Sequence, residues 1–580
     1  MDKFDRSFWK GLWSLVSPYW ASEKRVRAVA LLATVVALSL ATIGMRALFS
    51  YVSRDVMNSL QAKDAARFYH LMLLYVLWVA LFAPIAAFYP YLTGLLGVEW
   101  REWMSEWFVR LGLRNNALYR IMRDRSVDNP DQRISEDINS FTNGSLTFSL
   151  DTLRALVTAA TFFGILWSIS SGLALCLVAY TAVGTWATVI IGRRLVSINF
   201  DQQRYEADYR FALMHARDNA EEIALYQGAG DEARQLSKRF AQVVRNFRLL
   251  LRWQRRLTFF TEPYEDAAYL VPYFALAGVY FSGHFKLGEF TQATYAFAVL
   301  QDSLTLVVDR FQSLADYASV VNRLTAFRRE CDKAYMRASG NGERIELVEN
   351  GRLEIRDLTL TTPDRSRTLL GGVSASLNEG GALLITGPSG VGKTSLMRAV
   401  AGLWDHGNGR IERPPLSQIL FLPQRPYLIL GSLRDQLCYP RAADTPDQVL
   451  FEALNDVNLR DLPARFGGLD AEKDWAAVLS VGEQQRLAFA RLLINRPRYA
   501  FLDEATSALD QENEERLYTR LARMPTTVVS LGHRPSLRQF HSQVLELGSR
   551  RSLDAATPED AAWERNAAQV PRSRDERPKP

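Results

Sequence analysis

The stretch ALLITGPSGVGKTSLMRAV, residues 382–400, decides the fold of the C-terminal part of the chain. An apolar strand leads into the segment from Gly387 to Thr394, which matches the phosphate-loop pattern G-x-x-x-x-G-K-[ST], and a helix follows. Glycines let backbone N–H groups turn inward around phosphate oxygens, and the N-terminus of the helix adds a favourable dipole. Because strand, loop and helix occur in this order, the stretch predicts a nucleotide-binding α/β domain rather than a chance glycine-rich turn.

The phosphate loop predicts contacts with ATP and Mg²⁺. Lys393 is expected to reach the β- and γ-phosphates, while the Thr394 hydroxyl takes one position on the metal. The segment predicted to hold the nucleotide consists of Gly387, Pro388, Ser389, Gly390, Val391, Gly392, Lys393, Thr394 and Ser395.

The stretch YAFLDEATSALD, residues 499–510, predicts the second half of the site. Its apolar strand ends in Asp503, which is placed to hold Mg²⁺ directly or through water. Glu504 follows immediately, so its carboxylate can polarise the water that attacks the γ-phosphate. An acidic pair after a strand is often an ordinary helix cap, but the phosphate loop upstream favours the catalytic interpretation.

The stretch LSVGEQQR, residues 479–486, allows two interpretations. Ser480 and Glu483 form the capping-box pattern S-x-x-E at the start of a helix. The same letters are similar to the nucleotide-binding signature LSGGQ, with Val481 in place of the first glycine. The other nucleotide motifs favour the second interpretation, in which Ser480 and the backbone N–H of Gly482 face ATP bound to another subunit.

Long uncharged runs fill the chain before about residue 325. A run of about 18 or more nearly apolar residues is long enough to cross a bilayer as a helix. The runs are Ala28–Met45, Phe68–Val98, Ala155–Gly192 and Ala267–Phe285, and a weaker one begins at Phe290. SISSG (168–172) divides the third run into two spans with a tight turn, so six membrane-spanning helices are predicted.

Charge and cysteine content restrict the class of protein. Lys and Arg gather in the first 27 residues and in 99–153, which predicts that both termini lie in the cytoplasm. The net charge of +6 comes from residues beside membrane spans and not from a basic patch interleaved with aromatic residues, which argues against nucleic-acid binding. Three scattered cysteines predict neither a disulfide framework nor a metal site.

The predicted domains follow from these patterns. In the first segment Trp9, Trp13 and Val16 share one helical face, which is typical of a helix lying in the membrane interface in contact with lipid. The predicted segments are an interfacial helix at 1–25, a transmembrane domain at 26–328, a linker at 329–349, a nucleotide-binding domain at 350–548 and a disordered tail at 549–580.

The order of motifs over 350–545 resembles the ATPase domain of an ABC transporter. The resemblance implies that Gln424, in FLPQRPYL, touches Mg²⁺ and reports to the membrane domain. It implies that Ser507–Asp510 communicates across a dimer, and that His533, in SLGHRPSL, is the switch histidine contacting the γ-phosphate. One departure is that LTLTTPDRSRTLL (358–370) has no aromatic residue to stack on adenine, which puts nucleotide selectivity in doubt.

Six spans before one ATPase domain resemble an exporter-fold half-transporter of the branch that includes SbmA/BacA-like bacterial permeases and the peroxisomal and lysosomal D subfamily. The markers are VEWREWMSEWFV, VDNPDQRISEDI (127–138), NAEEIALYQG (219–228) and YASVVNRLTAF (317–327). The resemblance implies a dimer in the bacterial inner membrane that carries a peptide, a cobalamin-like compound or a fatty-acyl derivative; the direction of transport stays open. It also implies a short coupling helix that docks on the ATPase domain, with Asn129, Pro130, Asp131 and Gln132 as its residues.

Acidic residues near the last two spans predict the substrate path. Ionisable residues inside a membrane mark substrate or ion pathways more often than structure alone would require. The candidates are Asp302, Asp309, Glu262 and Glu265. They favour a cationic or amphipathic cargo, although pairing with Arg310 or with neighbouring helices is an equal alternative. An ATP-binding regulator or gated channel that does not pump is the competing function.

Overall fold

A computed structural model describes residues 6–548 except 125–126, 128–129, 284, 310, 340–344 and 441–444. Asn129 and the predicted tail 549–580 therefore lie outside the described residues, as do the side chains of Glu265 and Asp309. The chain divides into two compact units, Met1–Met336 and Arg337–Pro580. The predicted domain limits at 328 and 350 stay predictions.

The first unit is helical throughout its described residues. Its helices are α1 (Arg6–Trp20), α2 (Arg25–Gln61), α3 (Ala65–Leu113), α4 (Ala117–Asp124), α5 (Pro130–Gln132), α6 (Ile138–Ile169), α7 (Ser171–Asp218), α8 (Ala220–Leu225), α9 (Ala229–Phe281), α10 (Leu287–Asp309) and α11 (Phe311–Ser339). A short π-helical turn over Arg133–Asp137 joins α5 to α6.

Six long helices correspond to the six predicted spans: α2, α3, α6, α7, α9 and α10. Among the described residues, four stretches are long and apolar enough to cross a membrane, and they contain α2, α3, α6 and α7. The apolar parts of α9 and α10 are flanked or interrupted by charged residues, so their crossing rests on the predicted pattern. The turn predicted at SISSG is confirmed, because Ser170 stands alone between α6 and α7 and its hydroxyl accepts a bond from Leu173 N at 3.3 Å.

One core of the first unit joins α1 to the C-terminal half of α3, the N-terminal half of α6 and α11. Helix α1 buries Tyr19, which stacks on Trp100 with 5.5 Å between ring centroids. Trp9 and Trp13 remain exposed, whereas Val16, predicted on the same face, packs against this core. Contact of α1 with lipid stays a prediction.

Two of the family-marker segments meet in this core. Asp137, from VDNPDQRISEDI, is buried and accepts two bonds from Arg323 of YASVVNRLTAF, at 2.5 and 2.8 Å. Arg133 adds a third bond to the same carboxylate at 3.1 Å. Eight residues further along α6, Ser145 lies 2.6 Å from the hydroxyl of Tyr317. The segment predicted to act in coupling is therefore bonded directly to α11, the last helix before the strands of the second unit.

The second unit alternates strands and helices. Its elements are β1 (Ile345–Glu349), β2 (Leu353–Thr361), β3 (Thr368–Leu377), β4 (Ala382–Thr386), α12 (Lys393–Val400), β5 (Gly407–Arg413), β6 (Ile419–Leu422), β7 (Gly431–Ser432), α13 (Leu433–Cys438), α14 (Asp447–Asp456), α15 (Leu462–Phe466), β8 (Glu472–Lys473), α16 (Trp475–Val478), α17 (Val481–Asn495), β9 (Tyr499–Asp503), α18 (Gln511–Leu521), β10 (Thr527–Leu531) and β11 (Gln543–Glu546).

The strands form a parallel sheet, a mixed sheet and a small two-stranded ribbon. The five-stranded sheet has the order β11-β4-β10-β9-β6, and every neighbouring pair is parallel. The four-stranded sheet has the order β1-β5-β2-β3. All residues of β9 and β10 are buried, as central strands covered on both faces require. The carboxyl ends of β4, β9 and β10 therefore lie side by side, and each continues into a predicted nucleotide motif.

Candidate nucleotide-binding and hydrolysis site

The phosphate loop lies between β4 and α12, as predicted. Gly387, Gly390 and Gly392 have φ values of 148°, 78° and 110°, which place them in conformations that side chains disfavour. A Cβ on Gly387 would lie 2.7 Å from the Leu547 carbonyl oxygen. Only glycine fits there, and the positive-φ residues turn the loop around the N-terminus of α12, where backbone N–H groups can receive phosphate.

The Lys393 side chain is folded back over this loop. Its ammonium group donates to the carbonyl oxygens of Gly387 and Pro388, at 2.8 and 3.2 Å. Burial lowers the pKa of Lys393, and the nearby carboxylates of Glu504 and Asp503 oppose that shift. Bound phosphates would supply the negative charge that this desolvated ammonium group lacks, so its position fits a nucleotide.

Asp503 ends β9 beside the phosphate loop and is buried. Its carboxylate is hydrogen-bonded by the side chain of Thr394, the first of the predicted Mg²⁺ contacts. Burial raises the pKa of Asp503, while the Thr394 bond opposes the shift. A carboxylate and a hydroxyl in contact at a phosphate site suit Mg²⁺, because this ion is usually held by one or two protein oxygens with phosphates and waters.

Glu504 stands at the centre of a polar cluster. Its carboxylate accepts a bond from the Gln424 amide nitrogen at 3.0 Å and lies 3.2 Å from Nε2 of His533. The same His533 nitrogen lies 2.9 Å from the ammonium group of Lys393. The structure thus brings the two residues predicted to catalyse hydrolysis, the loop glutamine and the phosphate-loop lysine into one connected group.

The backbone of Glu504 is in the left-handed region, with φ of 46°. A non-glycine residue in this conformation costs about 1–2 kcal/mol, and such strain is concentrated at functional sites. The Glu504 N–H donates to the Leu531 carbonyl oxygen at 2.9 Å, so the end of β10 holds the strained turn. The Glu504 side chain is thereby directed into the polar cluster, where it does not act as an ordinary helix cap.

The capping box at the start of α17 forms in full. Glu483 N donates to the Ser480 hydroxyl at 3.3 Å, and Ser480 N donates to the Glu483 carboxylate at 2.9 Å. Partial burial would raise the pKa of Glu483, but Arg465 and the Ser480 groups outweigh it and lower that pKa. The Val481 side chain is exposed, so its replacement of glycine meets no obstacle within the chain. Whether Ser480 and Gly482 also contact ATP stays a prediction.

The predicted coupling and substrate-path residues lie in the first unit. A short helix does begin at Pro130, and the Gln132 amide donates to Glu136 at 2.9 Å. Asp302 is exposed on α10, and Glu262 is exposed on α9. Their proposed roles in coupling and in cargo binding stay predictions.

Two buried or bridging side chains escaped sequence interpretation. Gln485 on α17 and Arg534, directly after His533, both bond to the loop Ser507–Asp510. Glutamine and arginine are common surface residues of helices and loops, so nothing in their local pattern separates these two from solvated neighbours.

Comparison with known proteins defines the family. The chain matches the profile described as ABC transporter transmembrane region 2 over residues 15–281, and that described as ABC transporter over residues 370–507. It is 42% identical over 534 residues to an uncharacterized ABC transporter ATP-binding protein of Synechocystis, covering 89% of this chain and 80% of the relative. It is 37% identical over 611 residues to the chloroplastic ABC transporter D family member 2 of Arabidopsis thaliana, covering 94% and 86%.

A bacterial Atm1-family ABC exporter with ATP bound has the same fold, with a TM-score of 0.70 over 94% of this chain and all of that chain at 19% identity. The fold and the site define a membrane transporter with a fused ATPase. The chain belongs to the ABC transporter family, as a multi-pass membrane protein whose ATPase domain binds and hydrolyses ATP in the cytoplasm.

Proposed function

We propose that two copies of this chain form a transporter in the bacterial inner membrane, in which ATP hydrolysis with Mg²⁺ drives alternating access for an amphipathic cargo. The observation that carries the proposal is an uncovered apolar surface on the cytoplasmic parts of α7, α8 and α9. It supports a second copy as the partner that covers this surface.

The lengths of α7 and α9 support a position outside the bilayer for this surface. At about 1.5 Å per residue, helix α7 with 48 residues is about 72 Å long and α9 with 53 residues is about 80 Å long. The hydrocarbon core of a bilayer is only about 30 Å thick. Since the apolar part of α7 is its first half, the residues beyond about 193 continue into the cytoplasm.

Large apolar side chains remain exposed along these extensions. Phe211 on α7 is 70% exposed, and Leu225 and Tyr226 at α8 are 75% and 86% exposed. Further exposed apolar residues there are Phe200, Met214, Phe240, Phe247 and Leu251. Large apolar side chains left exposed to water in such number favour a protein contact. One ATPase domain per chain favours an identical copy as that contact. So does α17, called the signature helix because the letters LSVGEQQR begin it, since it is predicted to face an ATP bound to another subunit.

The polar cluster supports a specific sequence of events at the phosphates. Nε2 of His533 is close to both Lys393 and Glu504, yet one ring nitrogen can serve only one of them at a time. Phosphates entering the loop would take the Lys393 ammonium group from its carbonyl partners. In the tautomer with its proton on Nε2, His533 can then donate to the γ-phosphate or to Glu504. The Glu504 carboxylate polarises the attacking water.

Mg²⁺ would be held by Asp503, Thr394 and the amide oxygen of Gln424, and it would neutralise charge on the β- and γ-phosphates. Because Gln424 donates its amide nitrogen to Glu504, its position depends on the state of the catalytic carboxylate. The position of Gln424 would therefore follow the state of the hydrolysis site. Within the first unit, the bonds that Arg323 donates to Asp137 would carry motion of the coupling helix into α11.

The cargo is proposed from chemistry and from the D-branch resemblance. Acidic residues on the last two spans, Asp302 and Glu262 among them, favour a basic or amphipathic molecule such as a peptide. The branch adds cobalamin-like and fatty-acyl compounds as alternatives. Export and import both fit this fold.

The test is to reconstitute the purified chain in liposomes and to measure ATP hydrolysis and flux with a basic peptide, cobalamin and an acyl-CoA. Stimulated hydrolysis with uptake or release of one cargo, both lost in Lys393→Ala, would support the transporter. Constant hydrolysis with every cargo and no flux would favour an ATP-binding regulator or channel. A monomeric mass in nanodiscs during active hydrolysis would contradict the homodimer.

A further inference from the structure

The loop Ser507–Asp510 is fixed on one side by Gln485 of α17. The Gln485 side chain is 1% exposed, and its amide oxygen accepts from Ala508 N at 3.0 Å. Its amide nitrogen donates to the Ser507 hydroxyl at 3.0 Å and lies 3.4 Å from the Gln424 carbonyl oxygen. One buried side chain of the signature helix therefore contacts both the loop after Glu504 and the backbone of Gln424.

The start of α17 also packs closely on this loop. A Cβ on Gly482 would lie 3.2 Å from the Ala508 carbonyl oxygen and 3.5 Å from a methyl group of Leu509. The glycine predicted as an ATP contact thus also permits the close approach of helix and loop.

On its other side the loop is fixed by Arg534, the residue after His533. The guanidinium group donates to the Ser507 carbonyl oxygen at 2.9 Å and to the Leu509 carbonyl oxygen at 3.0 Å. It also donates to Glu514 at 3.1 Å. Glu514 is 1% exposed and accepts two further bonds from hydroxyl groups, Thr506 at 2.8 Å and Ser536 at 2.6 Å. A fully bonded buried carboxylate orients the guanidinium group.

We propose that Gln485 and Arg534 are positioning residues for ATP hydrolysis, which together fix the loop Ser507–Asp510 between the signature helix and the segment that carries His533. Neither side chain is among the groups assigned to nucleotide or Mg²⁺. The side-chain hydrogen bonds described for Gln485 and Arg534 go to the loop Ser507–Asp510, to the Gln424 carbonyl oxygen and to Glu514.

The proposal explains how the strained turn at Glu504 is kept in place. Ser507 N donates to the Glu504 carbonyl oxygen at 3.0 Å, so the loop closes the turn that holds the catalytic carboxylate. If the loop shifts, this bond and the bond from Glu504 to Leu531 cannot both keep their geometry. The carboxylate would then leave its position between Gln424 and His533. Binding of ATP by the phosphate loop needs neither contact.

The test compares Gln485→Met with Gln436→Met by steady-state ATP hydrolysis and thermal unfolding of the full chain in nanodiscs. Gln436 is a matched control, since it is fully buried and its amide bonds to the Ile429 backbone and to Arg491, away from the loop. Both variants are expected to lower the melting temperature. Only Gln485→Met is expected to lower kcat, by about tenfold, with KM for ATP changed by less than about twofold.

Two further measurements separate positioning from stability. Hydrogen exchange at the Ala508 amide is expected to rise in Gln485→Met and not in Gln436→Met. Arg534→Gln, which weakens the other side of the loop, is expected to show the same fall in kcat at constant KM, and it serves if Gln485→Met fails to fold. Equal losses of kcat in the two glutamine variants, or a raised KM with kcat preserved, would overturn the proposal.

Discussion

Replacing Ser480 with alanine separates the two roles of the LSVGEQQR segment. In the first role Ser480 only caps α17, and in the second its hydroxyl also binds the ATP of another subunit. The substitution removes the bond from Glu483 N to the hydroxyl at 3.3 Å but keeps the bond from Ser480 N to the Glu483 carboxylate. Loss of such a cap costs about 1 kcal/mol, which lowers the melting temperature of a domain of 150–250 residues by about 2–4 °C.

The chain contains a matched control for this cap. Ser432 begins α13 with a complete capping box, in which Asp435 N donates to the hydroxyl at 3.1 Å and the Asp435 carboxylate accepts from Ser432 N at 2.9 Å. Ser432→Ala should therefore cost the same amount of stability, about 1 kcal/mol. Ser432 belongs to no nucleotide motif.

The assay is ATP hydrolysis and thermal unfolding of both variants in nanodiscs. Equal shifts in melting temperature are expected. A fall in hydrolysis of tenfold or more is expected only for Ser480→Ala, since each tenfold loss corresponds to about 1.4 kcal/mol of transition-state stabilisation beyond the cap. Undiminished hydrolysis in Ser480→Ala, or the same modest loss in both variants, would refute the nucleotide role and leave an ordinary helix cap.

Three further predictions concern the remaining polar groups. Glu504→Gln should slow hydrolysis by about 10²–10⁴-fold with little change in melting temperature. Glu515→Gln is the control and should leave the rate unchanged, since Glu515 is a half-buried carboxylate that also accepts a glutamine amide, at 2.9 Å. A loss under tenfold in Glu504→Gln would assign the base elsewhere. Asp137→Asn should lower the free energy of unfolding of the first unit by about 1–3 kcal/mol, measured by thermal unfolding in nanodiscs, because two bonds from an arginine lose their charged acceptor. Burial lowers the pKa of His541 below its usual 6.5, so protonation favours the unfolded state and the melting temperature should fall as the pH drops below that value. Unfolding scans at several pH values should show a weaker dependence of the melting temperature on pH in His541→Gln. An unchanged dependence would contradict the prediction.

Local sequence patterns determined the class of protein and predicted most residues of the candidate nucleotide site. The phosphate loop depends on glycines at fixed spacing, and a membrane span depends on the length of an apolar run. Both are properties of consecutive residues, so GPSGVGKT and the long apolar runs could be interpreted without a fold. The turn at Ser170 and the capping box at Ser480 were predicted for the same reason, since each requires only neighbouring residues.

Tertiary structure alone decided which distant side chains act together. Gln485 and Ser507 are separated along the chain, as are Asp137 and Arg323, and each pair meets only because packed helices and parallel strands bring remote segments to one place. The sequence next to a polar residue does not identify the distant group with which its side chain will bond. Whether that side chain is buried depends on how the whole core packs. The strain at Glu504 likewise arises where β9 and β10 end together, because the sheet holds a turn that an isolated chain would relax.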